Sequence, residues 1–583
     1  MDGMILRTLV AALPVCAFLA AAPPEWVNRS NEHARVLLET DARVNPEGAA
    51  RMGAEGVDEK IADLSSGVNE RVRKAYREAA ATLRGRLKSA RDPKVRQDLD
   101  ILIRAAELRV RGSEISEKHF LPYGDVANLV FQGLRALLDD QIPEARRRAA
   151  LVRLRRYTGL ESGYQPIARL AEQRVREKLA NKQLLGPFKN RVEQDLANAR
   201  LFLDGIGPLF DKYKIDGYQE ALAKWKEQVT AYQEFVKAEV LPRARTDFRL
   251  PAEVYRLNLE NAGVDLAPEE LAKKAHAAFD QIQREMQTAA AEVAKERGFA
   301  ATDYRQVIRE LKKDQLVGEA ILPHYRERLA QIEAIVRREN LVTLPERPAR
   351  IRIATAAESA AGPAPNMRAP RLIGNTGEMG EFVLPLNIPD ASGKMQSFDD
   401  FTFAASSWTL AAHELRPGHE MQYASLVERG VSTARAVYAF NSTNVEGWGL
   451  YSEWVMQPYL PADGRLIALQ HRLLRAARAY LDPELQLGKV TPAEATRVLT
   501  EEVVLSPAMA RQEVERYTFR MPGQATSYFY GYSRLLELRE EVGRKLGPKF
   551  QPKSFHDFLL AQGLIPPALL RQAVLEEFVK AGS

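Results

Sequence analysis

Apolar residues recur every three to four positions through most of the chain, with few glycines between them. Because side chains three and four residues apart share one face of a helix, this spacing predicts amphipathic helices. The clearest examples lie at residues 72–87, 167–185, 218–240, 267–297 and 317–339. Strand-like residues occur only at 349–355 and 380–387, and the Ala-, Gly- and Pro-rich stretch 358–375 between them predicts a loop. The pattern predicts an all-α fold with a small β element.

The chain has 583 residues, which is too long for one simple core. The best boundary is the segment 241–251, which carries a proline near each end. We therefore predict an N-terminal helical region at 23–245 and a C-terminal helical region at 246–583. A deep cleft between the two helical halves would offer a binding site.

The N-terminus has the pattern of a secretion signal. Arg7 precedes an apolar stretch at 8–22, which ends in small residues before Pro23 and Pro24. This predicts a cleaved signal peptide at 1–22 and a periplasmic or secreted protein without stable membrane insertion. The chain's one cysteine, Cys16, lies inside this stretch. Lipidation of Cys16 is the alternative, which we disfavour because Pro14 is a poor neighbour and the apolar run continues.

Charge gives little indication of a nucleic-acid partner. The 83 lysines and arginines are interleaved with 77 acidic residues, for a net charge of +6. The densest basic run, at 146–156, also contains Leu151, Val152 and Leu154, which is typical of a solvated face on an amphipathic helix. We expect no nucleic acid as a partner.

Two of the eight histidines lie close together, in the sequence His-Glu-Leu-Arg-Pro-Gly-His at 413–419. Neutral imidazoles are strong zinc ligands, and a carboxylate beside the first is where a metallohydrolase keeps its general base. The motif therefore predicts His413 and His419 as metal ligands, Glu414 as the catalytic base and zinc as the cofactor.

The spacing of these histidines differs from that of the common His-Glu-x-x-His motif. Six residues at about 100° each would leave the two side chains about 120° apart on a straight helix. Pro417 lacks the N–H for a helical bond and Gly418 tolerates unusual backbone angles. We expect the helix to kink at Pro417, which brings His419 back to the metal. The alternative is that Pro-Gly only ends a helix and the histidines are unrelated.

A third ligand is expected downstream, in the sequence Asn-Val-Glu-Gly-Trp-Gly-Leu-Tyr-Ser-Glu at 444–453. Glu446 is flanked by Gly447 and Gly449, which would let a metal or a second backbone approach closely. Two His and one Glu, with a fourth position left to water, is a known catalytic zinc set. Glu453 is the alternative ligand, or a partner that orients a histidine.

Three blocks in this order resemble a known family. They are 413–419, then Glu-Gly-Trp-Gly-Leu-Tyr at 446–451, and then Pro-Gly-Gln-Ala-Thr-Ser-Tyr at 522–528, which continues to 539. They resemble a bacterial domain family of unknown function (DUF885), which is regarded as a group of zinc metallopeptidases and is matched here over about 250–575. The resemblance implies a mostly helical fold in the style of helical oligopeptidases and carboxypeptidases.

The third block suggests further site residues. By the resemblance, Tyr528 is the donor that stabilises the oxyanion, and Arg534 binds a substrate carboxylate, for which its bidentate guanidinium is suited. The alternative is that both are core and rim residues of a long helix.

The sequence thus predicts a zinc metallopeptidase acting on short peptides, of the oligopeptidase, dipeptidase or carboxypeptidase type. An edge strand before the metal helix could bind an extended peptide by backbone pairing, or it could be a structural hairpin. Two other functions remain open: a zinc amidase acting on non-peptide amides, and a catalytically silent peptide-binding protein. The intact Glu414 argues against the silent protein.

Overall fold

Helices dominate the molecule, with 69% helix and 4% strand. This confirms the predicted all-α class with a small β element. The computed structural model describes residues 24–362, 364–390, 392 and 394–582. The predicted signal peptide at 1–22, with Cys16, lies outside the described residues. Within them, no helix combines the length and the apolar character needed to cross a membrane.

In the described chain, ten α-helices precede the predicted boundary at 245. The stretches predicted as helical at 72–87, 167–185 and 218–240 are helical, although the helix in the second stretch ends at Leu179. The ten helices are α1 (Glu25–Val44), α2 (Pro46–Met52), α3 (Val68–Ser89), α4 (Pro93–His119), α5 (Val126–Arg135), α6 (Glu144–Arg147), α7 (Ala149–Tyr157), α8 (Ile167–Leu179), α9 (Lys189–Lys212) and α10 (Gln219–Phe235).

Fifteen further α-helices of the described chain follow that boundary. They are α11 (Ala252–Ala262), α12 (Pro268–Arg297), α13 (Tyr304–Leu311), α14 (Ile321–Arg338), α15 (Ala356–Ala361), α16 (Ser406–Glu414), α17 (His419–Arg429), α18 (Ser442–Met456), α19 (Ala462–Gln486), α20 (Pro492–Arg497), α21 (Pro507–Glu515), α22 (Ser527–Leu546), α23 (Pro552–Ala561), α24 (Pro567–Ala573) and α25 (Lys580–Gly582).

Short π-helical and 3-10 segments extend or connect these helices. The π segments are Val236–Val240, Ala434–Tyr438, Val498–Glu502, Arg516–Arg520 and Val574–Val579. The 3-10 turns are Leu241–Arg243, Gly318–Ala320, Gln457–Tyr459, Gln524–Thr526 and Gly547–Lys549.

Five short strands make two small sheets, with β1 (Arg350–Ile353), β2 (Asn366–Arg368), β3 (Glu381–Leu384), β4 (Asn387–Pro389) and β5 (Met395–Ser397). The first sheet has the order β1-β3-β2, in which β3 pairs parallel to β1 and antiparallel to β2. The second sheet is the antiparallel pair β4-β5. The strand predicted at 380–387 is therefore not an edge strand, because β3 is buried in the centre of the sheet, between the two edge strands β1 and β2.

The loop predicted at 358–375 is wrong, because α15 and β2 both enter it. Helix α15 begins with a capping box, in which Thr355 and Glu358 each accept from the other's backbone N–H. The Ala-, Gly- and Pro-rich composition concealed this local signal. Pro385 follows the last residue of β3, Leu384, so its missing N–H removes no hydrogen bond from this central strand.

Helix α19 forms the centre of the C-terminal region and is buried along nearly its whole length. Helix α12 packs along it through apolar residues at helical spacing, such as Leu271, Phe279 and Met286. Pro268 opens α12 and Gly298 closes it in the left-handed conformation, which follows the usual preference of these residues for helix ends.

The described apolar residues form three main cores. The largest is built almost entirely from residues after 245, whereas the second, at 121–240, and the third, at 34–106, use few residues beyond it. The division into two regions near 245 stays a prediction.

The basic run at 146–156 is not simply a solvated face. Arg153 is fully buried and donates to the carbonyl oxygens of Gly133 and Val57, at 2.7 and 3.1 Å. Arg146 forms an ion pair with Asp58 at 2.6 Å. These arginines therefore attach α6 and α7 to helix α5 and to residues 57–58.

Candidate metal centre

The two histidines of the motif lie on different helices. Helix α16 ends at Glu414 and α17 begins at His419, so the expected kink is a complete break over residues 415–418. A Cβ on Gly418 would lie 1.9 Å from the carbonyl oxygen of His413, so only glycine fits. Trp448 donates its indole N–H to the carbonyl of Pro417 at 2.9 Å. This tight break places the two imidazole centroids 4.6 Å apart.

Glu446 on α18 completes a cluster with these imidazoles. Its Oε2 lies 3.5 Å from Nε2 of His413 and 3.2 Å from Nε2 of His419. The candidate ligand atoms of all three residues lie within 4.8 Å of one another. Tetrahedral ligands with bonds of about 2.0–2.1 Å to zinc would lie about 3.3 Å apart. The donor set and its spacing therefore fit a zinc ion.

Glu453 contacts the opposite side of His413. Its Oε1 lies 2.7 Å from Nδ1 of His413, and its Oε2 accepts a hydrogen bond from the Thr409 hydroxyl at 2.6 Å. Arg475 lies 3.3 Å from the same carboxylate. Carboxylates in this position fix the orientation of a ligating imidazole. The geometry thus makes Glu446 the residue that faces the cluster and Glu453 the one that orients His413.

The side chains of His413 and Glu446 stabilise each other's charged forms. Burial alone would lower the pKa of His413, but hydrogen bonds with Glu446 and Glu453 raise it to about 9. Burial opposes ionisation of Glu446, yet hydrogen bonds with His413 and His419 hold its pKa well below the usual range. Metal binding at this pair would therefore release a proton from His413.

Glu414 is buried next to the cluster. Among the described residues its carboxylate makes no hydrogen bond and no ion pair, which leaves it free to exchange a proton. Burial raises its pKa, while the nearby imidazoles of His419 and His413 oppose that effect.

Tyr528, near the start of α22, approaches the same site. Its ring lies nearly parallel to the His413 imidazole, with centroids 6.2 Å apart. Its hydroxyl accepts a hydrogen bond from Arg516 at 2.8 Å, and the guanidinium of Arg478 lies 4.5 Å from its ring. Burial raises the pKa of Tyr528, against the effect of Arg516, so the phenol keeps its proton. Sequence reasoning missed Arg516 and Arg478, which carry no local motif.

Arg534 is not brought to this site. Its side chain is 41% exposed and pairs with Glu537 at 2.7 Å, on the side of α22 that lines a different pocket. The substrate-binding role predicted for Arg534 therefore has no support from its position.

The cluster opens into a cleft of about 660 Å³, which is within the range of ligand sites. One wall comes from the C-terminal helices and the opposite wall from α5 and α9, with β2 between them. The lining includes Glu414, His419, Tyr423, Glu446, Gln512, Arg516 and Tyr528 on the first wall, and Asp125, Asn128, Gln132, Asp195, Asn198 and Phe202 on the second. We call this cavity the cleft.

Two solved structures share this fold. A putative lipoprotein from Colwellia psychrerythraea has a TM-score of 0.74 and 19% identity, over 95% of this chain and 99% of that chain. A putative lipoprotein of unknown function from Shewanella oneidensis has a TM-score of 0.69 and 19% identity, over 94% of this chain and 100% of that chain. At this identity the likeness shows the fold alone. No functionally curated protein matches the chain.

The family that the sequence blocks resemble matches most of the chain. A family model described as "Bacterial protein of unknown function (DUF885)" covers residues 46–574. The match reaches far beyond the region 250–575 that those blocks indicated, so it takes in the N-terminal helices that form the second wall of the cleft. The chain belongs to the DUF885 family of bacterial proteins.

Proposed function

We propose that this protein is a zinc-dependent peptidase that hydrolyses short peptides. The observation that carries the proposal is the set of His413, His419 and Glu446, which converge with the spacing of zinc ligands at the base of a cleft. A bound zinc ion would lower the pKa of a water molecule and polarise the carbonyl of the scissile bond. Two His and one Glu leave a coordination position open for such chemistry.

Glu414 is the proposed general base. Its carboxylate lies beside the ligand His413, lines the cleft and has no competing partner among the described residues. It would accept a proton from the attacking water and deliver it to the leaving amine, which requires one group that alternates between base and acid.

Tyr528 and Arg516 are the proposed stabilisers of the developing oxyanion. The Arg516 guanidinium donates to the Tyr528 hydroxyl, which leaves the phenolic proton free to point at a substrate oxygen. Both side chains line the cleft, and donors fixed in advance at such a position lower the barrier of acyl transfer.

A peptide is the proposed substrate because of the edge strand β2. Residues Asn366–Arg368 line the cleft, and β2 pairs with β3 on one side only within the described sheet. An extended peptide would pair with the other edge of β2 through its backbone, as in strand addition. A small non-peptide amide lacks the repeated backbone groups for this pairing. The burial of the site favours short peptides over folded proteins.

We also propose that the protein acts outside the cytoplasm. The predicted signal peptide supports this location, and both similar structures are named as putative lipoproteins.

Hydrolysis assays would test the proposed activity. Zinc-loaded protein should cleave short peptides of graded length, lose activity with a chelator and regain it with zinc, as followed by mass spectrometry. Glu414→Gln, prepared identically, controls for contaminating peptidases. Cleavage of non-peptide amides alone would favour the amidase, and peptide binding without any cleavage would favour the silent binding protein.

A further inference from the structure

The cleft carries more negative charge than the proposed chemistry uses. Its carboxylates in the described chain are Asp125, Asp195, Glu358, Glu414, Glu446 and Glu513. Glu414 and Glu446 belong to the metal centre. Glu358 is neutralised by Arg135 and Arg352, at 2.6 and 2.9 Å, and Glu513 by Arg478 at 2.6 Å. Asp125 and Asp195 remain, on the wall formed by the N-terminal region.

These two aspartates lack adequate neutralisation. Asp195 accepts a hydrogen bond from the Tyr123 hydroxyl at 3.1 Å, and its ion pair with the half-exposed Arg191 is long, at 3.7 Å. Asp125 accepts the backbone N–H of Asn128 as the cap of α5, and it forms no ion pair with any described residue. Burial and the negative charge of Asp195 raise the pKa of Asp125 to about 7. A cation entering here would relieve that repulsion.

A buried amide oxygen without a hydrogen-bond partner lies on the same helix as Asp195. Asn198 is 5% exposed and lines the cleft one helical turn after Asp195, so both project from the same face of α9. Its Oδ1 is buried and accepts no hydrogen bond from the protein. Buried polar atoms nearly always have partners, so this free acceptor points to a ligand with a donor.

We infer that Asp125, Asp195 and Asn198 bind a primary ammonium group of the substrate peptide, an inference that rests on the proposed peptidase function. An ammonium group has three N–H donors and no acceptor, which matches two carboxylates and one amide oxygen. The free N-terminus and a lysine side chain both present this group.

The arginines of the cleft do not offer an equal site for a carboxylate. Arg368 pairs with Glu358 at 3.1 Å, and Arg520 pairs with Glu515 at 3.1 Å. Arg516 donates to Gln524 and Tyr528. Arg191, which also lines the cleft, has Asp195 as its partner at 3.7 Å. The Gln512 amide on the other wall lacks hydrogen-bond partners as well, but it is neutral. The carboxylates without a close counter-ion are therefore Asp125 and Asp195, and the substrate end that they select is cationic.

Three peptides would identify the ammonium group. The first has a free N-terminus, no lysine and an amidated C-terminus, the second is its N-acetylated form, and the third is the acetylated form with one lysine. Binding is measured by calorimetry on zinc-loaded Glu414→Gln, and kcat/KM is measured on the protein with Glu414 intact. The free peptide should bind at least tenfold more tightly than the acetylated one.

Isosteric variants would assign the site. Asp125→Asn keeps the helix cap, since Asn and Asp cap equally well, and Asp195→Asn keeps an acceptor for Tyr123. Each should weaken binding of the free peptide at least tenfold and leave the acetylated peptide unchanged, and Asn198→Leu should act in the same direction. Asp303→Asn, at the cap of α13 outside the cleft, is the matched control and should change neither. Thermal unfolding monitors the fold of each variant.

The outcomes separate this inference from the proposed function. Equal binding of free and acetylated peptides, no binding of either, or equal losses for both in the Asn variants would overturn the ammonium site, even if hydrolysis proceeds. Ammonium-selective binding without any hydrolysis would support the site and contradict the peptidase function. Binding regained only by the lysine peptide would assign the site to a side chain rather than to the N-terminus.

Discussion

The two imidazoles of the candidate metal centre are held in different ways. His413 is fixed through its Nδ1 by Glu453, which Thr409 and Arg475 hold in turn. The Nδ1 of His419 is buried and has no hydrogen-bond partner in the described protein. The orientation of His419 depends instead on the backbone break that precedes it.

Loss of either imidazole should remove the metal. We expect about one zinc per chain in the intact protein and a near-complete loss in His413→Ala or His419→Ala, because two remaining ligands bind zinc weakly. Zinc content by mass spectrometry after dialysis measures this. His276→Ala is the control, since His276 lies half exposed against Glu484 away from the cluster. Full occupancy in both cluster variants would rule out the proposed metal centre.

Glu414→Gln should separate catalysis from metal binding. The amide cannot accept the proton of water, so kcat should fall by roughly 10²–10⁴-fold while zinc content and unfolding temperature hold. Steady-state kinetics with zinc analysis on the same sample checks both. Loss of zinc in this variant would mean that Glu414 is itself a ligand.

The sequence identifies residues of this site only where the chemistry is local. His413, Glu414 and His419 lie within seven positions and could be proposed from their spacing, and Glu446 from its flanking glycines. Arg516 and Arg478 reach Tyr528 from other segments, so no local pattern indicates them. The family resemblance and the guanidinium group suggest Arg534, but Arg534 lies six residues after Tyr528 and therefore on another face of the helix.

Among the elements, the crossing of α18 and α22 controls the distance between Glu446 and Tyr528. The helices touch backbone to backbone, because a Cβ on Gly531 would lie 2.0 Å from the carbonyl oxygen of Thr443 and 2.8 Å from Cα of Gly447. Each glycine adjoins the site: Gly447 follows Glu446, and Gly531 lies three residues after Tyr528.

Gly531→Ala should push the two helices apart. We expect the free energy of unfolding to fall by about 1–3 kcal/mol, the usual cost of overpacking. We also expect kcat/KM to fall, because Glu446 and Tyr528 would move apart. Gly543→Ala on the same helix meets no atom within 4 Å, so it should be neutral or stabilise by about 0.5–1 kcal/mol. Urea unfolding and kinetics measure the two effects. Equal stability of both variants would show that the crossing tolerates a wider spacing.

Helices could be predicted well because their signal is periodic and local. The long stretches at 72–87 and 267–297 are helical as expected. Strand β2 was missed because three residues are too few to show the alternation of apolar and polar residues that indicates a strand. It pairs with the buried β3. The break between α16 and α17 was predicted as a kink, since Pro417 and Gly418 indicate a disruption without specifying its geometry.

At the scale of the whole molecule, the cleft is formed by residues from both the N-terminal and the C-terminal regions. The wall with Asp125 and Asp195 comes from α5 and α9. The wall with His419 and Glu446 comes from helices that begin more than two hundred residues after the start of α9. The sequence around Asp125 is that of an ordinary helix cap, and only the tertiary structure places Asp125 in the cleft. The family match over 46–574 agrees with an N-terminal region that belongs to the same functional unit.

The N-terminal helices also attach to the C-terminal region through a buried charge. Asp98 on α4 is fully buried and accepts hydrogen bonds from Ser30 at 2.5 Å, Ser432 at 2.6 Å and Arg435 at 2.8 Å. Arg435 is 3% exposed, in the π segment before α18. This contact joins α1 and α4 to the chain that leads into Glu446.

Asp98→Ala should destabilise the molecule strongly, because it leaves the Arg435 guanidinium buried without its carboxylate. Breaking such a pair costs about 3–5 kcal/mol. Arg84→Ala removes the pair of Arg84 with Glu107, in which both side chains are about half exposed, and should cost less than about 0.5 kcal/mol. Urea unfolding followed by tryptophan fluorescence compares them, with zinc content measured at each step. If the two variants unfold at the same urea concentration, Asp98 does not hold the N-terminal helices to the C-terminal region. If Asp98→Ala unfolds early and loses zinc in the same transition, the metal centre depends on that attachment.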